Sequence, residues 1–244
     1  MNDYTSLSEI YDTLMHPDIN YEHIADFLEN VFDMSGKNPE MVVDLACGTG
    51  NLTIPLAERG YDMIGIDKSF DMLSIAREKA DNSILFLNQD MTKLDLYGTA
   101  DAFISMIDGV NYILNPNSLY KMFKKIKTCF LNNNGIVVFD ISSEFKLKKI
   151  IGSNTFIHDG DDIFYSWENK FNDKYAVSDM YLNFFVKDGK GYKRFCERHL
   201  QKAYSIKTIK EILKKAGFKK VTAYSGFTFE KATAQSERVV FVAE

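Results

Sequence analysis

Cysteine is scarce in this chain of 244 residues, with copies only at Cys47, Cys129 and Cys196. An odd number, far apart, supports neither a disulfide framework nor a zinc site. A chain without structural disulfides suits a reducing cytoplasm. Long apolar runs are missing too. Hydrophobic residues make up 45% of the chain, yet none of their runs approaches the about 18 residues of a membrane span. That fraction goes into a core instead. There is no basic excess: the net charge of −5 argues against a surface built to grip nucleic acid. Met1 to Ser8 is polar, without the basic start of a cleavable signal. Repeats and low-complexity tracts are absent, and the length suits one large domain or one domain with an insertion.

What is present centres on Met41–Asn51, MVVDLACGTGN. An apolar strand breaks into Ala46-Cys47-Gly48-Thr49-Gly50, and a helical pattern begins at Asn51. A strand that empties into a glycine turn before a helix lets a small ligand approach bare backbone. Gly48 and Gly50 remove blocking side chains and permit positive φ. A dinucleotide would bring a pyrophosphate, which the Asp44 carboxylate at the strand end opposes. The third glycine of Gly-x-Gly-x-x-Gly is also lacking, because Thr53 stands there. S-adenosylmethionine (SAM), with an ammonium and a sulfonium, fits better.

A second strand, Tyr61 to Ile66, leads into Asp67, placed to accept both hydroxyls of a ribose. This feature serves NAD and SAM alike. After a third strand, Ile84 to Leu87, Asp90 can accept from an adenine amino group with Met91 packed on the ring. The alternative for Asp90 is a capping role in a loop.

Asp44-Leu45-Ala46-Cys47-Gly48-Thr49-Gly50, Gly65-Ile66-Asp67 and Gln89-Asp90-Met91 together resemble the three cofactor motifs of class I SAM-dependent methyltransferases. The remainder, including LSEIYDTLM near the start and AQSERVVFVAE at the end, resembles the small bacterial YqeM-like methyltransferases. Those are similar to the sugar N,N-dimethyltransferases of antibiotic pathways. The resemblance implies an α/β fold with a Rossmann-like seven-stranded core, SAM as cofactor and S-adenosylhomocysteine as product. It also implies an aromatic over the cofactor, a place that Tyr11 fills; simple packing is the other reading of that residue. The cofactor set is then Tyr11, Asp44, Ala46, Cys47, Gly48, Gly50, Asp67, Lys68, Met72, Asp90, Met91 and Met106.

The chain divides accordingly. Residues 1–38 read as a helical lid: a short helix from Ser8 to Met15, then an amphipathic one carrying Tyr21, Ile24, Phe27, Leu28, Val31 and Phe32. Residues 39–140 and 205–244 alternate strand and helix, the signature of a parallel sheet with both faces covered. A helix from Asn51 to Arg59 and another capped by Ser69, with Phe70, Leu73, Ala76 and Ala80 on one face, follow the first two strands. Ala102 to Met106 and Gly135 to Asp140 are further strands. Between them Leu119, Met122, Phe123, Ile126 and Phe130 line a helix, its cap expected at Asn117 or Ser118. Residues 141–204 break the alternation with three strand-like stretches, 162–171, 175–187 and 191–204, read as an antiparallel β cap. A helix capped by Ser205 and a terminal pair of strands complete the core.

Asp44, Asp67, Asp90 and the segment after Met106 all fall at the carboxyl edge of the sheet, where such folds bind ligands. That segment lacks Asn/Asp-Pro-Pro-Tyr and Pro-Cys, so the motifs of amino-base and cytosine-C5 DNA methylation are missing. It offers Asp108, Asn111 and Tyr112, either as polar groups facing the site or as loop hydrogen-bonding residues. On the third cap strand, period two puts Phe195, Glu197, His199 and Gln201 on one face, either a substrate wall or the solvent side. His199 is the first candidate for a base, tunable near neutrality, with Asp108 and His158 behind it; Tyr112 joins His199 and Asp108 in the catalytic set. A small-molecule acceptor is expected for transfer to N or O. RNA or protein as acceptor and a non-catalytic SAM sensor are the alternatives. The lysines between Lys207 and Lys220 read as a solvated helix face before a nucleic-acid surface.

Overall fold

Met41–Leu45 forms β1, buried from Val42 onward, at the heart of a seven-stranded sheet. The computed structural model describes residues 8–15, 18–81 and 83–244; the polar stretch before Ser8 lies outside them. The elements around β1 are α1 (Ser8–Met15), α2 (Tyr21–Met34), α3 (Thr53–Glu58), β2 (Asp62–Asp67), α4 (Phe70–Lys79) and β3 (Leu85–Asn88). Next come β4 (Ala100–Ser105), α5 (Pro116–Lys125) and β5 (Leu131–Ser142). Then β6 (Thr155–Asp159), β7 (Ile163–Asn172), β8 (Val177–Asp188) and β9 (Gly191–Lys202) form a separate sheet. The chain returns through α6 (Ile206–Ala216) to β10 (Val221–Ser225) and β11 (Arg238–Ala243).

The large sheet runs β10-β11-β5-β4-β1-β2-β3. Strands β1 to β5 are parallel, and β11 enters antiparallel beside β5. Order reverses between β1 and β4, the switch point at which open sheets leave a crevice. Alternate residues feed two cores. Val43, Phe103, Val137 and Phe139 pack with Phe123 of α5 and Leu213 of α6. Val42, Ala102, Ile104 and Val138 pack with Ile24, Phe27 and Leu28 of α2 and Leu56 of α3. Side-chain period two on strands covered from both sides requires this division.

Several local expectations need correction. The second sheet has four strands, not three: β6 pairs along β7 as an edge whose five residues are all exposed. Without a buried face it carries no alternation to read. A helical turn at 144–151 also went unread; Leu147 and Ile151 are its buried apolar residues, amid Lys146, Lys148 and Lys149. Phe70 lies 63% exposed, because the buried face of α4 runs through Met72, Leu73 and Ala76. Asn115, rather than Asn117 or Ser118, caps α5, with Pro116 as its first residue. Beyond Lys125 the helix widens to a π turn, Ile126–Phe130. No helix among the described residues is long and apolar enough to cross a membrane.

Candidate active site

At the carboxyl end of β1 the backbone turns sharply. Ala46, Gly48 and Gly50 all take positive φ (57°, 56° and 78°). No atom lies within 4 Å of where a Cβ on Gly48 would stand, so the missing side chain opens space for something other than protein. Gly50 differs. A Cβ there would meet Ala76 at 3.3 Å and Ile54 at 3.4 Å, so this glycine seats the loop on α4 rather than clearing a path to a ligand.

The loop borders a pocket, partly open to solvent, lined by Tyr11, Tyr21, Asp44, Ala46, Cys47, Gly48, Thr49, Asn51, Leu52, Met106 and Ile107. Six expected cofactor residues are in that lining: Tyr11, Asp44, Ala46, Cys47, Gly48 and Met106. Tyr21, Thr49, Asn51, Leu52 and Ile107 line it without being in the expected set. Tyr21 reads as one more apolar position of α2 until the fold turns it towards the loop, where it lines the same pocket as Asn51 and Tyr11.

Asp44 is 3% exposed and accepts a hydrogen bond from Thr53 Oγ1 at 2.7 Å. Burial pushes its carboxyl up to about 7, against the Thr53 bond and with help from the Asp67 charge. At the end of β2, Asp67 Oδ2 accepts the Gly48 amide at 2.9 Å and Oδ1 the Ser69 amide at 2.8 Å. Burial raises this carboxyl too, although those amides favour its charge. Burial, then Asp44 and Asp67, push the Cys47 thiol well up, so it is not poised as a thiolate nucleophile.

Lys68 and Met72 sit just beyond β2, with Met72 buried. Met91 opens a 3₁₀ turn that Asp90 caps, with Oδ1 accepting from Thr92 N and Oγ1 at 2.8 and 2.7 Å. The capping alternative for Asp90 is therefore realised. Both bonds fall on one oxygen, so this does not displace the adenine reading.

Helix α1 contributes Tyr11 to the pocket lining. Its Asp12 accepts from Thr49 Oγ1 (2.6 Å), Asn51 Nδ2 (2.8 Å) and Lys79 Nζ (2.8 Å). Burial raises the Asp12 carboxyl, but these bonds outweigh it and hold the group below the usual carboxylate range. On its other side α1 packs Ile10, Tyr11 and Leu14 against Phe184 and Phe195 of the smaller sheet. Burial raises the Tyr11 phenol well above its ordinary value, helped by Tyr21, Tyr112, Asp108 and Asp67 nearby. Those neighbours place Tyr11 between the cavity and the turn after β4.

That turn carries Ile107 and Asp108 at φ 59° and 53°, followed by a 3₁₀ turn, Gly109–Tyr112. Asn111 is fully buried; it donates to Ser142 O and Lys202 O and accepts from Ser142 N, all at 2.9 Å. Tyr112 Oη lies 3.4 Å from His199 Nδ1, their rings edge to face. The face of β9 that holds Glu197, His199 and Gln201 points inward: each is 5–6% exposed. The solvent-side alternative for that face falls. Asp108 is occupied, accepting from Gln201 Nε2 at 2.8 Å and from Arg238 Nη2 at 3.2 Å. His158 lies on the exposed edge strand β6, stacked on Tyr165; it is not among the groups gathered at the turn after β4.

These groups fit SAM. A buried carboxylate faces a cavity that suits a cation, a second ends the neighbouring strand, and a loop without a side chain at Gly48 leaves room for contact. Residues 42–135 match the family described as methyltransferase domain. YqeM of Bacillus subtilis (strain 168), named as a methyltransferase, is 35% identical over 99% of this chain and 96% of its own length. The crystal structure of a SAM-dependent methyltransferase from Clostridium acetobutylicum is 32% identical, covers 99% of this chain and 98% of that one, and has a TM-score of 0.89. SAM-bound CalS10, an amino pentose methyltransferase from Micromonospora echinaspora, shares the fold. Its TM-score is 0.78 at 18% identity, over 96% of this chain and 95% of that one.

Proposed function

Because this chain belongs to the SAM-dependent methyltransferase family that includes Bacillus subtilis YqeM, we propose that it methylates N or O of a small-molecule acceptor, held between the cavity and the four-stranded cap, in a reducing cytoplasm. When bound, SAM would supply a sulfonium methyl open to in-line attack by a nitrogen or oxygen lone pair, the methyl–sulfur bond breaking as the new bond forms and S-adenosylhomocysteine leaving. The chain's own residues do the rest. Asp67 accepts from the ribose hydroxyls and Asp44 faces the cofactor's positive end. Asp90 and Met91 hold the adenine, while the backbone of Ala46 to Gly48 lies along the ligand. Tyr11 and α1 keep water out, which strengthens every charge interaction inside. Positioning of this kind is worth up to about 7–11 kcal/mol in well-oriented reactions.

The observation that carries the acceptor reading is the burial of Glu197, His199 and Gln201 on one face of β9, with His199 beside Tyr112 and Gln201 bonded to Asp108. A protonated acceptor needs a base; His199 is the group to take that proton, with Tyr112 orienting its ring. Asp108, held by Arg238 and Gln201, serves as an anchor rather than a base. An enclosed polar wall suits a small molecule better than a polymer, which needs an open basic rim. The lysine-rich end is partly neutralised, with Lys220 on Glu244 and Lys207 near Glu211.

Two measurements test this. Cell extract supplied with labelled SAM should yield labelled product in the low-mass fraction; label confined to RNA or protein would sink the reading. With that acceptor, His199→Ala should leave SAM affinity within about twofold. Turnover should fall by about 10²–10⁴; an unchanged rate would remove the base.

A further inference from the structure

Two consecutive non-glycine residues with left-handed backbone, Ile107 and Asp108, adjoin the cavity. Such conformations cost energy and persist only where surroundings impose them. Here the constraint comes from the far end of the chain. Arg238, first residue of β11, has a side chain only 20% exposed and pairs with Asp140 of β5, which is fully buried. Its other nitrogen reaches Asp108 Oδ1 at 3.2 Å. Asp140 closes the loop by accepting the Asp108 backbone amide at 3.1 Å. Asp108 Oδ2 then takes Gln201 Nε2 at 2.8 Å, two residues along β9 from His199. The guanidinium also lies over the Phe227 ring, 5.6 Å from its centroid.

We propose that Arg238 is a positioning residue of the acceptor site. One planar cation, bridging two carboxylates, holds the turn after β4 in its left-handed form and, through Asp108 and Gln201, sets the register in which His199 meets Tyr112. Arginine suits the task because its fork can donate in two directions at once, whereas lysine presents a single point. Arg238 thereby joins the large sheet to the loop, and Asp108 joins the loop to the cap. The proposal rests on the reading that the acceptor docks beside Tyr112 and His199.

The test uses the full chain with Arg238→Met, Arg238→Lys and Gln201→Leu. It reads the ¹⁵N resonance of His199 Nδ1, amide exchange at Asn111 and Tyr112, and S-adenosylhomocysteine affinity. Arg238→Met should speed exchange at Asn111 and Tyr112 at least about tenfold, leave β1 and β2 amides unchanged, and shift the His199 resonance; Arg238→Lys should restore part of both. Gln201→Leu, which disturbs no charge, should shift His199 while S-adenosylhomocysteine affinity stays within about threefold. If Arg238→Met fails to fold, Gln201→Leu and Arg238→Lys decide. An unmoved His199 resonance in both, or exchange rising equally through β1 and β2, overturns the proposal. None of these readouts uses an acceptor, so a failed His199→Ala turnover test would remove the acceptor reading, and with it the proposal's premise, without altering the coupling of Arg238 to His199 that they measure.

Discussion

At the scale of the residue, Asp44 shows what a buried carboxyl lining a pocket costs the fold that carries it. Its carboxyl titrates near 7 because burial penalises the charge, whereas an unfolded aspartate titrates near 4. The folded chain therefore holds this proton more tightly than the unfolded one. The contribution of Asp44 to stability is greatest below about pH 4, declines as pH rises to about 7, and is flat beyond, at up to about 1.4 kcal/mol per pH unit within that window. A cationic ligand reverses the preference by favouring the ionised form. Asp44→Asn keeps an acceptor for Thr53 and removes the charge. At pH 8 the variant should melt higher than the parent without ligand, with the gap closing towards pH 4, and should bind SAM more weakly. Thermal unfolding across pH and calorimetry check both halves. A variant that melts lower at pH 8 would show that burial is not the governing cost.

At the scale of the element, α1 is held by two different faces. Its apolar side packs on the cap, and its Asp12 reaches the loop after β1 and Lys79 of α4. The apolar contact tolerates sliding, but the carboxylate, with three donors, specifies one position. Asp12→Ala should leave the fold in place and loosen the helix. S-adenosylhomocysteine should dissociate several-fold faster in stopped flow, and amides of Ile10 to Leu14 should exchange faster. Because the Asp12 carboxyl is held low, the latch is present above about pH 4 and is lost only as pH falls through its folded value. Equal dissociation rates in parent and variant would mean that α1 does not gate the cavity.

At the scale of the whole molecule, the two sheets share few direct contacts but several buried polar ones. Asn111 ties the turn after β4 to β5 and to the end of β9. Tyr204 donates to Ile113 O, reaching from the end of the cap into the core. Breaking such a junction leaves backbone groups buried without partners, at about 1–3 kcal/mol each. Asn111→Ala should therefore cost about 2–4 kcal/mol in chemical denaturation. Trp167, the chain's single tryptophan, sits in the cap and reports on it separately. In the parent its fluorescence and the helical signal should be lost together; in Asn111→Ala the cap should report first. Coincident transitions in the variant would show that packing alone couples the sheets.

Sequence by itself determined the layered core, because strands buried on both faces and amphipathic helices announce themselves through local spacing. It also placed Asp44, Asp67 and Gly48, since each ends or follows a strand at one edge and parallel order brings those ends together. Helix boundaries and caps shifted by a few positions, as at Asn115, because neighbouring polar residues compete for one role. Edge strand β6 was silent for lack of a buried face. Which side of β9 faces inward was undecidable by period two, which separates two faces without saying which one meets the core. Only the tertiary structure decided that, by closing the cap on the turn after β4. It alone brought Arg238 to Asp108 across 130 positions. A charge in a C-terminal strand has no local signal for its partner; what selects the pair is the cost of burying each without the other.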